Sequence, residues 1–467
     1  MSPTSDVLAR LEALRAGDLP THGGRTLAYV YDSGLPDADA VGRAALAGFG
    51  ATNGLDPTAF PSLAAMERDL VGFARPLFHA PDTAVGTVTS GGTESILLAV
   101  QTARDAHPEI TRPAMVVPTT AHGAFHKAAH YFGVELVAVD VDESMRAVPA
   151  TMAAAITERT VLVAVSAPSY AHGVLDPVAP IAAAAAARGV RCHVDACIGG
   201  WVLPWMRGLP AWDFAVPGVT SLSADLHKYA YTPKGVSLLL HRDAGLRRPQ
   251  FFAAADWPGY TMLNATMQST RSGGPVAAAW AVVQHIGAEG YRALVETTVD
   301  ATRALADAVR ATEHLRLAAE PDSTLLAVAT DDALDVFTLS DEMGERGWFV
   351  QPQMAFRGMP ATLHLTVCAA TASGVDDFVA ALRESVAAAV AAGPVEVAPE
   401  LRAAAAALDP ATLDDAAFDG LLALAGLGGE GGVAVPKRMA PVNALLDAAP
   451  PRLREALLIA FLDRLTR

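Results

Sequence analysis

The sequence contains few cysteines, and this limits the chemistry that the chain can support. Its 467 residues include three, Cys192, Cys197 and Cys368, which are too few for a disulfide framework. Cys192 and Cys197 stand on either side of an aspartate at a spacing that matches no common zinc site. We therefore predict buried thiols and no metal centre.

Long apolar runs and an excess of positive charge are also missing. No run of about eighteen apolar residues free of charge or proline occurs, so no membrane span is predicted. Residues 1–10 have no basic segment followed by an apolar core, which leads us to expect a cytoplasmic protein. The formal charge of −16 at pH 7 argues against nucleic acid and anionic membranes as general partners. Any phosphate group must then be bound by a local site.

Apolar sequence is abundant, and it is arranged in short segments. Hydrophobic residues make up 52% of the chain, enough for a large core. Between residues 84 and 240, β-branched runs alternate with alanine-rich helical stretches, a pattern typical of a mostly parallel sheet with crossover helices. The predicted strands are 85–89, 114–117, 134–139, 161–166, 190–194, 219–223 and 236–240, and the predicted helices include 95–106, 124–131 and 178–188.

The second half of the chain predicts a smaller α/β unit. A long helix is expected over 277–311, after a Gly-Gly-Pro break at 273–275. Strands at 324–329 and 361–367, helices at 334–346 and 375–391, and a helical tail with a Gly-rich gap at 426–432 follow. A chain of this length is expected to form two or three domains. We predict an N-terminal arm over 1–60, a large domain over 61–300 and a small domain with its tail over 301–467.

Three motifs fall where predicted strands end, which is where parallel sheets bind ligands. Thr89-Ser90-Gly91-Gly92-Thr93-Glu94-Ser95 joins a strand to a helix, so its N–H groups and hydroxyls could bind a phosphate. His193-Val194-Asp195 ends another strand in a carboxylate, which is costly to bury without a cation. His227-Lys228 follows a third, with a further cation at Lys234. Burial or a neighbouring cation can lower the pKa of such a lysine and make it nucleophilic.

Each motif also has a structural interpretation: a tight turn, a capping aspartate and a surface lysine. Together they form the arrangement that pyridoxal phosphate requires, because this cofactor needs an amine for its aldehyde, an acid for its ring nitrogen and a phosphate site. The sequence therefore predicts pyridoxal phosphate as the cofactor.

The motifs resemble those of the fold-type I pyridoxal-phosphate enzymes of the group II decarboxylase superfamily, and within them the sphingosine-1-phosphate lyases. The resemblance runs from about residue 29 to residue 366. It rests on the segments 89–96, 121–127, 193–200, 223–229, 231–235 and 271–274. It implies an aspartate aminotransferase-like fold with a large, mostly parallel sheet domain and a smaller C-terminal α/β domain.

The resemblance also implies roles for individual residues. Lys228 would be the Schiff-base lysine, Asp195 the partner of the pyridine nitrogen, and His122 the ring that stacks on the cofactor. The remaining cofactor-binding residues would be Ser90, Gly91, Gly92, Thr93, His227, Gly273 and Gly274. Substrate-binding residues would be Tyr29, Tyr31, Asp56, Lys234 and Thr270. A homodimer with shared active sites is implied, in which the neighbour contributes residues 270–274.

The chain departs from the resemblance at three points. The lyases carry a histidine that approaches the substrate phosphate, and here the aligned residue is Asp56. A carboxylate repels a phosphate unless it is turned away or protonated. Thr270 replaces an expected serine but keeps the hydroxyl, and the membrane anchor of the eukaryotic lyases has no counterpart.

The function that the resemblance implies is retro-aldol cleavage of a sphingoid-base 1-phosphate, or a related 2-amino-3-hydroxy compound, to a fatty aldehyde and ethanolamine phosphate. The base that removes the proton of the substrate β-hydroxyl could be His122, His126, Lys228 or the substrate phosphate. The alternatives are an amino-acid decarboxylase, an aldolase acting on an unphosphorylated β-hydroxy amine, and a cofactor-binding protein without turnover.

Overall fold

A computed structural model describes residues 4–411, 413–424, 428–429, 432–433 and 436–466. Most of the N-terminal part of the chain is helical. The helices that precede the second sheet are α1 Thr4–Leu14, α2 Pro36–Gly48, α3 Pro61–Leu77, α4 Gly92–Asp105, α5 Ala124–Phe132, α6 Pro149–Ala155, α7 Val178–Ala186, α8 Ala244–Arg247 and α9 Gly273–Ala311. Short 3₁₀ turns occur at Arg15–Gly17, Leu203–Trp205, Arg248–Gln250 and Ala369–Gly374.

A seven-stranded sheet forms the centre of the molecule. Its strands are β1 Val85–Thr89, β2 Ala114–Pro118, β3 Glu135–Val139, β4 Thr160–Ser166, β5 Arg191–Asp195, β6 Ser221–Ala224 and β7 Ser237–His241. The strand order is β1-β7-β6-β5-β4-β2-β3, and only β7 runs antiparallel to its neighbours. Strand β4 is buried along its whole length because helices cover both faces of the sheet.

The predicted strands and helices of this region are confirmed, with ends that differ by a few residues. Strand β6 begins at Ser221 rather than at 219, and α4 begins at Gly92 rather than at 95. Helix α9 begins at Gly273, so the Gly-Gly-Pro sequence opens the helix instead of preceding it, and Ser272 caps its N-terminus. The helix bends at Gly287, whose φ of 63° is left-handed.

A second, four-stranded antiparallel sheet follows α9. Its strands are β10 Leu315–Leu317, β11 Leu325–Thr330, β12 Gln351–Gln353 and β13 Thr362–Thr366, in the order β10-β11-β13-β12. Helices α10 Val336–Glu345 and α11 Val375–Ala392 pack on it and share an apolar core with the C-terminal half of α9. The predicted strands and helices of this part are likewise confirmed. The boundaries of the three predicted domains stay a prediction.

In its described residues the C-terminal tail contains the helices α12 Pro399–Ala407, α13 Asp415–Leu424, α14 Ala440–Ala448 and α15 Pro451–Leu465. Their apolar side chains form a small core of their own. The predicted Gly-rich gap at 426–432 lies largely outside the described residues, apart from the strand pair β14 Gly428–Gly429 and β15 Gly432–Val433. A separate hairpin joins β8 Phe252–Ala254 to β9 Met262–Asn264. No helix in the described part of the chain is long and apolar enough to cross a membrane.

Candidate functional site

The carboxyl ends of the parallel strands enclose a cavity of about 390 Å³. Strands β1, β2, β4, β5 and β6 all end at this edge, so the residues that follow them converge. The lining comprises Ser90, Gly91, Gly92, Thr93, Glu94, Ile96, His122, Ser166, Pro168, Tyr170, Asp195, Cys197, Ile198, Asp225, His227 and Lys228. Its volume lies in the range of small-molecule sites. We call it the strand-end cavity.

The loop after β1 forms the phosphate end of the cavity. Gly92 opens helix α4, and the first N–H groups of a helix have no partner within it, so they are available to an anion. The buried Glu94 fixes the conformation of this loop. Its carboxylate accepts the N–H of Ser90 at 2.5 Å and that of Met267 at 2.7 Å. Gly92 must be small, since a Cβ there would lie 2.7 Å from the Cys197 sulfur.

Asp195 ends β5 and is fixed by two donors. Its Oδ1 accepts the backbone N–H of Cys197 at 3.1 Å and the hydroxyl of Ser223 at 3.3 Å. Ser223 in turn lies 3.1 Å from His193 Nε2, and the other ring nitrogen of His193 lies 2.9 Å from Ser221. Burial lowers the pKa of His193 to about 4, so this imidazole is neutral. The carboxylate is thus held by a buried polar network.

Lys228 forms an ion pair that the sequence analysis did not predict. Its Nζ lies 3.0 Å from Oδ2 of Asp225, and both side chains are largely buried. Burial alone lowers the pKa of Lys228, but the Asp225 carboxylate, with smaller contributions from Tyr31, Cys197 and Asp195, raises it above its ordinary value. The pKa of Lys228, which burial or a neighbouring cation was expected to lower, is therefore raised in this structure because a buried carboxylate lies 3.0 Å from Nζ.

His122 faces the strand-end cavity from the loop after β2. Its Nδ1 accepts the N–H of Ala124 at 3.1 Å, which places the proton of the neutral ring on Nε2. Burial lowers the pKa of His122, so the neutral form dominates at pH 7. Tyr170 meets it edge-on, with ring centroids 6.5 Å apart, and stacks on His364 at 4.1 Å. The Tyr170 hydroxyl donates to Gln351 at 2.8 Å.

His227 packs against the glycine-rich loop, and both of its ring nitrogens already have partners. Its Nδ1 accepts N–H groups of Gly235 and Val236 at 3.3 and 3.1 Å, and its Nε2 lies 3.5 Å from Asp225. Its ring lies directly under Gly91, where an added Cβ would come within 3.1 Å. Burial lowers the pKa of His227.

The expected substrate residues lie at the edge of this site or away from it. Lys234 donates from Nζ to the carbonyl oxygens of Tyr29 and His227 at 3.0 and 3.2 Å, and it stands 4.7 Å above the ring of Tyr31. It does not line the strand-end cavity. Burial lowers the pKa of Lys234 to about 8. Tyr29 adopts a left-handed φ of 63°, and its side chain is about half exposed.

Asp56, Thr270, Gly273 and Gly274 do not line the strand-end cavity of their own chain. The Asp56 carboxylate accepts the N–H and the hydroxyl of Thr58 at 2.8 and 2.6 Å, so it closes a local turn. Gly273 packs against Thr52 and Leu63, and its N–H donates to the Thr52 carbonyl at 2.8 Å. A separate cavity of about 220 Å³ lies beside these segments, lined in part by Gly54, Pro57 and Arg271.

A further cavity of about 370 Å³ adjoins the site beyond His122 and Tyr170, which line both cavities. We call it the outer cavity. Its other lining residues are Thr119, Thr120, Ala121, Gly123, His126, Ala171, His172, Gln353, Met354, Phe356, Met359, Pro360 and Thr362. Its far wall comes from β12, β13 and the loop between them, and this loop makes the wall apolar around Met354, Phe356 and Met359.

Sequence reasoning missed Asp225, Glu94 and Tyr170 in this site. Asp225 and Glu94 lie within the sequence motifs that predicted the site. Only the folded chain shows that the Asp225 carboxylate contacts Lys228 and that the Glu94 carboxylate contacts the glycine-rich loop. Tyr170 lies four residues after the end of β4. The rule that parallel sheets bind ligands beyond the carboxyl ends of their strands could have identified it. Cys192, Cys197 and Cys368 are free and buried, as predicted.

The donor set of the strand-end cavity fits pyridoxal phosphate. An amine, a carboxylate fixed to face inward, an imidazole and a helix N-terminus with two hydroxyls line one space of suitable volume. The family model described as "Pyridoxal-dependent decarboxylase conserved domain" matches residues 31–329. The chain therefore belongs to the pyridoxal-dependent decarboxylase family. A second model, described as "Pyridoxal-dependent enzyme, C-terminal putative HTH domain", matches residues 399–464.

Within the family the chain is similar to the sphingosine-1-phosphate lyases. It is 37% identical over 350 residues to the sphingosine-1-phosphate lyase of Arabidopsis thaliana, a match that covers 72% of this chain and 63% of that protein. A solved structure of the sphingosine-1-phosphate lyase of Burkholderia pseudomallei superposes with a TM-score of 0.79 at 34% identity, covering 84% of this chain and 92% of that one. A Methanocella arvoryzae protein described as "Probable L-tyrosine/L-aspartate decarboxylase" is 32% identical over 336 residues, covering 71% of this chain and 86% of that protein.

Proposed function

We propose that the chain is a pyridoxal-phosphate-dependent aldehyde-lyase that cleaves the Cα–Cβ bond of a sphingoid-base 1-phosphate, or of a related 2-amino-3-hydroxy compound. The products are a fatty aldehyde and ethanolamine phosphate. The observation that carries the proposal is the single cavity that groups Lys228, Asp195, His122 and the glycine-rich loop. The similarity to sphingosine-1-phosphate lyases supports the bond and the substrate class.

The bound cofactor would supply an electron sink for the bond that breaks. Lys228 provides the amine that holds the cofactor aldehyde. Asp195, fixed by the Cys197 N–H and the Ser223 hydroxyl, presents a carboxylate that keeps the ring nitrogen protonated. The N–H groups and hydroxyls of the loop bind the phosphate at the N-terminus of α4.

The retro-aldol step needs a base for the substrate β-hydroxyl, and the hydrogen bonds of His122 argue against that residue. Its Nδ1 lone pair is used by the Ala124 N–H, and its Nε2 carries the proton. His126 lines the outer cavity and not the strand-end cavity. Lys228 and the substrate phosphate are left as candidates. We propose that His122 packs on the cofactor ring and orients the substrate.

The alkyl part of such a substrate would occupy the outer cavity. This cavity shares His122 and Tyr170 with the strand-end cavity, and its lining includes the apolar side chains of Met354, Phe356 and Met359. A chain of methylene groups gains about 0.8 kcal/mol for each group that it buries. The position therefore favours a lipid-like amine over a small polar amino acid.

An unphosphorylated β-hydroxy amine is a second candidate substrate, and Asp56 favours it. A histidine would be expected at this position in a lyase for phosphorylated substrates, and Asp56 carries the opposite charge. Lys234 is also engaged by two carbonyl oxygens. A decarboxylase is less well supported, because the described lining of the strand-end cavity offers no arginine and no lysine besides Lys228 to bind a substrate carboxylate.

We also propose a homodimer in which the segment around Thr270, Gly273 and Gly274 serves the neighbour's site, since these residues lie outside their own strand-end cavity. Tyr29, Tyr31 and Lys234 form one cluster at the edge of the site and are proposed to contact the polar end of the substrate. The cytoplasmic location expected from the N-terminal residues stays a prediction.

The decisive experiment is a product assay with matched substrates. Purified protein loaded with pyridoxal phosphate is incubated with a sphingoid-base 1-phosphate, with the same base lacking phosphate, and with a panel of amino acids. We expect aldehyde and ethanolamine phosphate from the first substrate. Aldehyde from the unphosphorylated base alone would favour the second candidate. Release of CO₂ from an amino acid without any aldehyde would refute the lyase proposal.

Two variants test the assignment of residues in the same assay. Lys228→Ala is expected to keep its fold and to lose both the visible absorption of bound cofactor and all turnover. Asp56→His restores the side chain expected from the lyases, and we expect it to lower KM for the phosphorylated substrate about tenfold or less while leaving the unphosphorylated one unchanged. A Lys228→Ala protein that turned over normally would contradict the site.

A further inference from the structure

Asp225 is the one buried carboxylate of the strand-end cavity that the proposed function leaves without a role. Its side chain is 2% exposed, and it lies at the turn after β6, three residues before Lys228. Its Oδ2 lies 3.0 Å from Nζ of Lys228, while Oδ1 is buried and accepts no hydrogen bond of good geometry from the described residues. An acceptor of this kind is costly to bury unless it stabilises a cation.

The ion pair has a consequence for the chemistry of Lys228. Only a neutral amine can attack an aldehyde: its nitrogen forms the bond to carbon, the carbonyl oxygen leaves as water, and the ammonium proton must first go elsewhere. The Asp225 carboxylate, whose Oδ2 lies 3.0 Å from Nζ, favours the ammonium, so this proton must pass to solvent before the bond forms. The same carboxylate stabilises the ammonium again whenever Lys228 is released from the cofactor by a substrate amine.

We propose that Asp225 is a positioning residue that holds the released Lys228 side chain as an ammonium at the strand-end cavity. A proton donor thereby stays beside the reacting carbon through each turnover. The inference rests on the proposed function only for its effect on turnover. Its effect on attachment of the cofactor follows from the ion pair alone.

Other charged and titratable groups also face Lys228, and they bear on its protonation. Besides Asp225, the ammonium is favoured by Tyr31, Cys197 and Asp195, and Lys228 also interacts with His122, Tyr170, His227 and Lys234. Asp225 has the largest effect among those that favour the ammonium. Lys228 and His227 in turn lower the pKa of Asp225 against the opposing effect of burial, which agrees with a carboxylate that is ionised beside a cation.

The test measures cofactor attachment as a function of pH. Cofactor-free wild-type protein and the Asp225→Asn variant are mixed with pyridoxal phosphate between pH 6 and pH 10, and attachment is followed by its visible absorption. We expect the midpoint of the pH dependence to fall by about 1–3 units in Asp225→Asn, because an opposite charge at this distance shifts a pKa by that amount. Attachment near neutral pH should therefore be faster in the variant.

Pyridoxal without its phosphate is the second probe, since it removes any effect of Asp225 on phosphate binding. The same downward shift is expected with it. Asp213→Asn is the matched control: Asp213 is a buried carboxylate paired at 2.8 Å with His79, away from the strand-end cavity, and its replacement should leave the midpoint in place. Asp225→Glu should restore most of the wild-type midpoint. Circular dichroism confirms that each variant is folded.

Turnover provides an independent readout. With the substrate that the product assay identifies, Asp225→Asn should lower kcat by about 100-fold or more with a smaller change in KM, since a positioned proton donor contributes about 100-fold to 10,000-fold. An unchanged attachment midpoint in a folded Asp225→Asn protein would overturn the inference whatever the substrate is. A shifted midpoint in a protein that cleaves none of the proposed substrates would instead overturn the proposed function alone.

Discussion

Gly92→Ala should destabilise the protein and weaken cofactor binding, because the added methyl group has no room. The new Cβ would lie 2.7 Å from the Cys197 sulfur and 2.8 Å from both carboxylate oxygens of Asp225. Neither neighbour can move freely, since both are buried and Asp225 is paired with Lys228. Overpacking of this kind costs about 1–3 kcal/mol.

Helix propensity acts in the opposite direction but is smaller. Alanine is favoured over glycine by about 1 kcal/mol in a helix interior, and Gly92 is the first residue of α4, so it gains only part of this. We therefore expect a net loss of about 1–2 kcal/mol in the free energy of unfolding. The methyl group also distorts the turn at the N-terminus of α4 whose N–H groups would bind the phosphate, so the affinity for pyridoxal phosphate should fall.

The assay is urea unfolding of the cofactor-free protein, together with a titration of pyridoxal phosphate followed by fluorescence. Gly72→Ala is the matched control, since Gly72 lies in the interior of α3 with nothing within 4 Å of an added Cβ. It should stabilise the protein by about 0.5–1 kcal/mol. Cys197→Ala in the Gly92→Ala background should recover part of the loss, with a coupling of at least about 0.5 kcal/mol. A Gly92→Ala protein with wild-type stability and wild-type cofactor affinity would refute this reasoning.

Three further predictions concern stability. His364 is fully buried and its pKa is lowered to about 3 by burial, so the unfolded chain binds a proton that the folded one does not between about pH 6.5 and that value. The free energy of unfolding should therefore decrease as the pH is lowered through this window. His364→Phe should reduce the slope by about 1.4 kcal/mol per pH unit, as measured by urea unfolding at several pH values. Asp335→Ala should lower stability by about 1–2 kcal/mol in the same assay, since the carboxylate caps α10 through two N–H groups at 2.8 Å and also accepts the N–H of Val395. Glu67→Gln should lower the thermal midpoint, with a loss of about 1–2 kcal/mol, because Glu67 joins the Val88 N–H to Arg271; an unchanged midpoint would show that the charge is not needed there.

Much of the fold was predictable because local pattern and tertiary structure agree. Runs such as 161–166 are apolar on both faces and could only be central strands, and the structure places β4 there fully buried. The start of α9 was less predictable, since Gly273 and Gly274 indicate a break locally. Close packing of Gly273 against Thr52 and of Gly274 against the Leu46 carbonyl explains why glycines begin this helix.

The candidate site was predictable as far as its residues follow strand ends. Ser90, Asp195 and Lys228 each come after a recognisable strand, and parallel strands bring their carboxyl ends to one edge. The Asp225–Lys228 ion pair and the hydrogen bond that fixes the His122 tautomer could not be predicted, because they depend on side-chain directions within turns. Likewise, the contacts of Lys234 with two carbonyl oxygens could not be predicted, and its role at the substrate stays a prediction.

The sequence alone was sufficient for the α/β fold and for the set of groups that pyridoxal phosphate needs, since both depend on residue type and on order along the chain. The folded structure was needed to show which groups meet. A carboxylate 3.0 Å from Nζ reverses the shift expected for the pKa of Lys228, and that distance is set by how the turn after β6 packs under the glycine-rich loop. Electrostatic effects depend on distance and burial, and neither can be read from spacing along the chain.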